Sequence, residues 1–170
     1  MDLPLPPTAP SLGGYGEYVW DHASFALYSL TTQNSADLGV LASQLEREWW
    51  DGQGQEGSHL VRVAPSHIFH QASLKEVLEA HTRLLRKAAE ETGSDSGEKE
   101  MPWFPTAFLV LTENDTKTDR LLFVYADDEE DGCPLDKFEF WIKDAHLMLS
   151  SLAYGDETCA ESKGIYGVAR

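Results

Sequence analysis

Two runs of consecutive apolar residues flank the polar stretch ENDTKTD: Phe108, Leu109, Val110 and Leu111 before it, and Leu121, Leu122, Phe123, Val124 and Tyr125 after it. A strand with one wet face alternates polar and apolar positions. Uninterrupted runs instead predict two strands covered on both faces, joined as a hairpin at the centre of a sheet. Three further strands are expected around them. FALYSL (25–30) and HLVRV (59–63) are short apolar runs, the second ended by Pro65, and PWFP (102–105) re-enters the fold ahead of the hairpin. After it, Phe138, Phe140 and Ile142 alternate with Glu139, Trp141 and Lys143, the period of a half-buried strand.

Helical spacing appears three times. With Ser35 as N-cap, Leu38, Leu41, Ala42, Leu45 and Trp49 recur on one face up to Gly52. From Leu74 to about Glu90, the capping box Ser73-x-x-Glu76 opens an apolar stripe of Leu74, Val77, Leu78, Leu84, Leu85 and Ala88. Glu79 with Arg83, and Arg86 with Glu90, stand at i,i+4 spacing along it. Asp144 can cap a last helix with Ala145, Met148, Leu149 and Leu152 inward, closed by Gly155. The order β-α-β-α-β-β-β-α predicts an α+β (or mixed α/β) fold, a central mixed sheet of about five strands with helices packed on it.

Residues 1–16 carry four prolines and three glycines and read as an extended arm, with 17–170 as a single globular domain. The stretch ETGSDSGEKE (91–100) can bury almost nothing and is expected to be a mobile loop. The composition is that of an ordinary globular protein, 42% hydrophobic and 11% aromatic, but 29 acidic against 13 basic residues give a net charge of −16. That field repels phosphate backbones and anionic lipid, so no nucleic-acid or membrane partner is expected; a basic protein partner suits it better. Two cysteines make no disulfide framework, no apolar run is long enough to span a bilayer, and MDLPLPP is no signal peptide. A soluble cytoplasmic protein with free thiols is expected.

The candidate chemistry is topological. If the strands at 25–30 and 59–63 lie parallel, their C-terminal ends share the sheet edge where open α/β sheets bind ligands. Thr32 and Asn34 would stand there with His67 and His70, and His70, just before a helix N-terminus, would be held neutral as a base or ligand. His67 and His70 lack a third ligand, so no metal and no cofactor is expected. His81 lies on the apolar stripe of the second helix, as a satisfied core histidine or a base lining a pocket. Trp49 and Trp50 read as core edge or as ligand-stacking aromatics. The run Asp127 to Asp131 reads as a solvated loop without a calcium pattern, although Asp127 and Asp128 adjoin buried apolar sequence and could serve as acid or base. Cys133 and Cys159 lie among carboxylates that suppress a thiolate.

The second half, 105–168, resembles a family of small proteins known only as a domain of unknown function. The resemblance lies in FPTAFLVLTEND, DRLLFVYADDEE, FEFWIKDA, LSSLAYGDE and KGIYGV in that order. It implies single-domain architecture and no chemistry. The expected function is a small acidic binding or interaction module, taking a small-molecule ligand or a basic partner. The alternative is a cofactor-independent enzyme of isomerase, cyclase or lyase type, with an aromatic-lined pocket and a histidine as acid or base. A small-molecule site is expected at the edge holding Thr32, Asn34, His67 and His70, not at the acidic loop.

Overall fold

The computed structural model describes residues 3–31, 35–53, 59–69, 73–92, 99–112 and 119–168, with backbone alone for 35–36, 48–53 and 66–68. In chain order they form β1 (Ser24–Ser29), α1 (Ser35–Gln53), β2 (Val61–Ile68), α2 (Leu74–Glu91), β3 (Trp103–Leu111), β4 (Arg120–Ala126), β5 (Leu135–Trp141), α3 (Ala145–Tyr154) and α4 (Cys159–Tyr166). The five strands make one mixed sheet in the order β2-β1-β3-β4-β5. β1 runs parallel to both β2 and β3, and β3, β4 and β5 form an antiparallel meander.

The reversal of direction at β1 decides where the helices go. The chain leaves β1 for β2 on one side, then returns past β1 to β3 on the other. Right-handed crossovers therefore place α1 and α2 on opposite faces. One core holds Phe25, Leu27, Leu109 and Phe123 against α1 and α3. The other holds Ala26, Tyr28, Phe108, Val110, Leu122 and Val124 against α2 and the N-terminal arm. With cover on both faces, β1, β3 and β4 bury almost every side chain, which is why their sequences are apolar without alternation. β5, at the sheet's other edge, buries Phe138 and Phe140 in the first core and leaves Trp141 exposed.

α2 follows its sequence pattern closely. Ser73 and Glu76 form the reciprocal capping box, and Leu74, Val77, Leu78 and Leu85 are buried. Each such leucine contributes roughly 2 kcal/mol through apolar area removed from water. The ion pair seen along this helix is Lys87 with Glu91 at 4.0 Å.

Four local features depart from expectation. β2 runs on past Pro65 to Ile68, because β2 is an edge strand and needs no ladder donor on its outer side. Its register with β1 breaks there, from Leu27 opposite Val63 to Ser29 opposite Ile68. PWFP does not precede β3 but starts it, and the pairing with β1 slips between Ser24 opposite Trp103 and Ala26 opposite Phe108. Asp144 stands at the N-cap of α3 with helical backbone angles and makes no side-chain cap, since a 3-10 turn over 142–144 feeds directly into the helix. α4 was not expected, although Thr158 and Glu161 form a second reciprocal capping box.

The Pro/Gly-rich arm is anchored from Leu3 onward. Ala9 and Leu12 are buried beside α2, while Leu3, Leu5 and Tyr15 pack partly against the same core. The Ala9 amide donates to the Cys133 carbonyl at 2.9 Å, and Lys137 Nζ donates to the Leu3 carbonyl. Close approach is built in at Gly13: a Cβ there would fall 2.8 Å from Cys133 Sγ. Of the expected loop 91–100, residues 93–98 lie outside the described residues. Among the described residues no helix is long and apolar enough to cross a membrane.

Candidate functional site

The irregularity in β3 shapes one end of the sheet. A strand that carries extra residues against its partner bends and turns side chains to the other face. Between Trp103 and Phe108 the chain does this, so that Trp103 and Phe108 belong to the α2 core while Phe104 and Ala107 face α1 and α3. The Phe104 ring stacks on Phe25 with centroids 4.1 Å apart and planes 10° apart. Trp20 meets Phe104 edge-on at 6.3 Å, its indole Nε1 donating to the Tyr15 carbonyl at 3.0 Å.

These rings and Tyr125, near the C-terminal end of β4, form the walls of a cavity of about 560 Å³. The end of α3 and the start of α4 close it from the other side, with Leu152, Ala153, Thr158 and Cys159 in the lining. The turn between the two helices depends on Gly155, whose φ of 75° is left-handed and whose amide donates to the Leu152 carbonyl at 3.2 Å.

The rim is acidic. Asp21, Asp127, Asp128, Glu129 and Glu157 all line the cavity, and no lysine or arginine does among the described residues. The Asp127 carboxylate accepts the Glu129 amide at 3.0 Å, and Glu157 accepts the Ser162 hydroxyl at 2.9 Å. Asp21, Asp128 and Glu129 make no ion pair among the described residues. Part of the rim acts on the interior: burial, then Asp128 and Asp127, push the Cys159 thiol up to about 12. Burial also raises the Tyr125 phenol, helped by its hydrogen bond to Asp136 at 2.9 Å. Burial opposes ionisation of Asp136 too, but Lys163, the Lys137 amide and the Tyr125 hydroxyl together hold its carboxyl below the usual range. A thiol and a phenol both kept protonated offer no nucleophile at neutral pH. What the cavity presents is apolar aromatic surface below fixed negative charge.

Of the histidines and ligand-binding residues singled out in the sequence, His81 alone is described with its side chain. Thr32, Asn34 and His70 lie outside the described residues, as do the side chains of His67, Trp49 and Trp50. At that sheet end the described bonds converge on Ser29. The Thr31 amide donates to Ser29 Oγ at 3.0 Å, and the Phe69 amide to the Ser29 carbonyl at 2.9 Å. His81 is completely buried between α2 and the sheet, bonded to Tyr28 and to the Phe104 carbonyl. Among the described residues no group of three or more His, Cys, Asp or Glu side chains is placed to hold a metal ion.

The cavity takes in Asp127, Asp128 and Glu129 of the acidic loop, where no small-molecule site was expected. It draws on residues 20–25, 104–107, 125–129 and 152–160, so no local spacing could announce it. The available signal was the juxtaposition of YADDEE with the end of a buried strand. Comparisons with protein-family models, with curated proteins and with solved structures find no match for the chain.

Proposed function

We propose that this chain is a binding module whose cavity receives a positively charged group on an apolar stem, presented by a basic protein partner or a small amine. The observation that carries this reading is the pairing of walls and rim: Trp20, Phe25, Phe104 and Tyr125 below, Asp21, Asp128 and Glu129 above. An ammonium or guanidinium gains from ring quadrupoles, by roughly 0.5–2 kcal/mol per contact as water is excluded. The carboxylates supply the counter-charge, and the apolar floor takes the stem. A net charge of −16 steers cations toward the surface and speeds their encounter.

The binding reading is favoured over catalysis at this cavity because no histidine lines it among the described residues and its thiol is held protonated. The test compares phenethylammonium, phenethyl alcohol and phenylacetate, following amide resonances of the lining residues by NMR. The ammonium alone should shift Asp128, Glu129 and Cys159. Equal shifts with the alcohol would reduce the site to a hydrophobic hollow.

A further inference from the structure

A second cavity, of about 520 Å³, opens between α1 and the start of α3, and its walls carry the opposite charge. Arg47 comes from α1, Lys143 from the turn before α3, His146 from the first turn of α3, and Trp141 from the end of β5. Basic residues are scarce in this chain, 13 against 29 acidic. Elsewhere Lys163 pairs with Asp136 at 2.7 Å and Arg120 with Glu139 at 3.4 Å. Arg47 and Lys143 make no ion pair among the described residues, and both line the same cavity. The acid facing them in the lining is Asp119. The backbone of Asp119 is fixed at a left-handed φ of 50°, its carbonyl accepting the Ile142 amide at 2.8 Å.

Two more groups at the cavity stand out. His146 Nδ1 is buried with no hydrogen-bond partner. Trp141 is 39% exposed, although the Arg120 guanidinium lies 5.6 Å from its ring centroid. A large aromatic left partly open beside two unpaired cations is the pattern of a ligand site rather than of a solvated surface.

We propose that this cavity binds a small anion carrying a planar ring, the ring against Trp141 and the charge between Arg47 and Lys143. Guanidinium presents a planar fork that matches the two oxygens of a carboxylate or phosphate, and the lysine adds a mobile point charge. Carboxylate and phosphate share this chemistry, so the ring-bearing acid and the nucleotide are separated by experiment.

Isothermal titration of the full chain uses adenosine monophosphate and indole-3-acetate as ring-plus-anion probes. Adenosine supplies the ring alone; inorganic phosphate and acetate supply the anion alone. At least one ring-plus-anion probe should bind about tenfold more tightly than its separate halves, and which one binds identifies the anionic group. Arg47→Gln with Lys143→Gln should weaken that probe about tenfold or more with Tm unchanged, and Trp141→Ala should weaken it as well. Should the double variant melt early, Lys143→Gln alone, at an exposed position, should still weaken binding about threefold. No binding by either probe, or binding that the charge variants leave unaltered, overturns the proposal.

Discussion

The hydroxyl of Tyr28 lies 2.8 Å from Nδ1 of His81, both buried, and the other ring nitrogen, Nε2, is 3.0 Å from the Phe104 carbonyl. A carbonyl only accepts, so Nε2 carries the proton and Nδ1 accepts from Tyr28. The neutral tautomer is thereby determined. The chain of bonds ties β1, α2 and β3 together at the backbone of Phe104, whose ring stands in the wall of the acidic cavity on the other face. The histidine thus bonds the backbone unit whose side chain lines the cavity.

Acid should loosen this tie. Burial lowers the folded-state pKa of His81 from 6.5 to about 4, opposed only in part by its backbone hydrogen bonds. Between those values the unfolded chain binds the extra proton, so stability is fully present above pH 6.5 and falls as pH drops toward 4. The loss from this group is at most roughly 3 kcal/mol. His81→Gln retains a donor and an acceptor without the titration. Urea denaturation from pH 7 to 4 should therefore show a steeper decline for the wild type than for the variant; parallel curves would mean the imidazole is not buried neutral.

Leu78→Ala and Leu122→Ala remove side chains from the same core, one on α2 and one on β4. Each should cost about 2–5 kcal/mol, the range for large-to-small changes in packed interiors. Equilibrium denaturation measures this, and losses below about 1 kcal/mol would contradict two-sided cover of the sheet.

Cys159 reports the potential of the acidic cavity. With its thiol pushed up to about 12, alkylation by neutral iodoacetamide at pH 8 should run far slower than for an exposed cysteine. Asp127→Asn with Asp128→Asn removes two of the causes and should speed the reaction, while burial keeps it below the free-thiol rate. A rate insensitive to the two carboxylates would show that they do not bear on the cavity.

Much of this architecture is legible in the sequence because its cause is local. Uninterrupted apolar runs at 108–111 and 121–125 demand cover on both faces, and the structure supplies it with α1 and α3 on one side and α2 on the other. The Ser73 and Glu76 box with its stripe specifies α2 without help from the rest of the chain. α4 carries the same signal at Thr158 and Glu161, but with Ile165 exposed it has no apolar stripe, and a capping box without a stripe does not specify a helix. The continuation of β2 through Pro65 depends on its place at the sheet edge, and the anchoring of Ala9 and Leu12 on contacts with α2 and Cys133. Neither is a property of a short window. Both cavities are still further from local pattern, since each is walled by segments distant in sequence and defined by what its charges lack.

On the proposed reading, the cavity beside Tyr125 selects positive charge on an apolar stem. Calorimetric titration of phenethylammonium into the wild type and into Asp128→Asn with Glu129→Gln tests it most directly, at low and at physiological salt. Both carboxylates are exposed and unpaired among the described residues, so the variant should melt as the wild type does. A single site is expected on the wild type, about tenfold weaker in the variant, with raised salt weakening the wild type more than the variant. Equal affinity in the two proteins, or no binding to either, would contradict it.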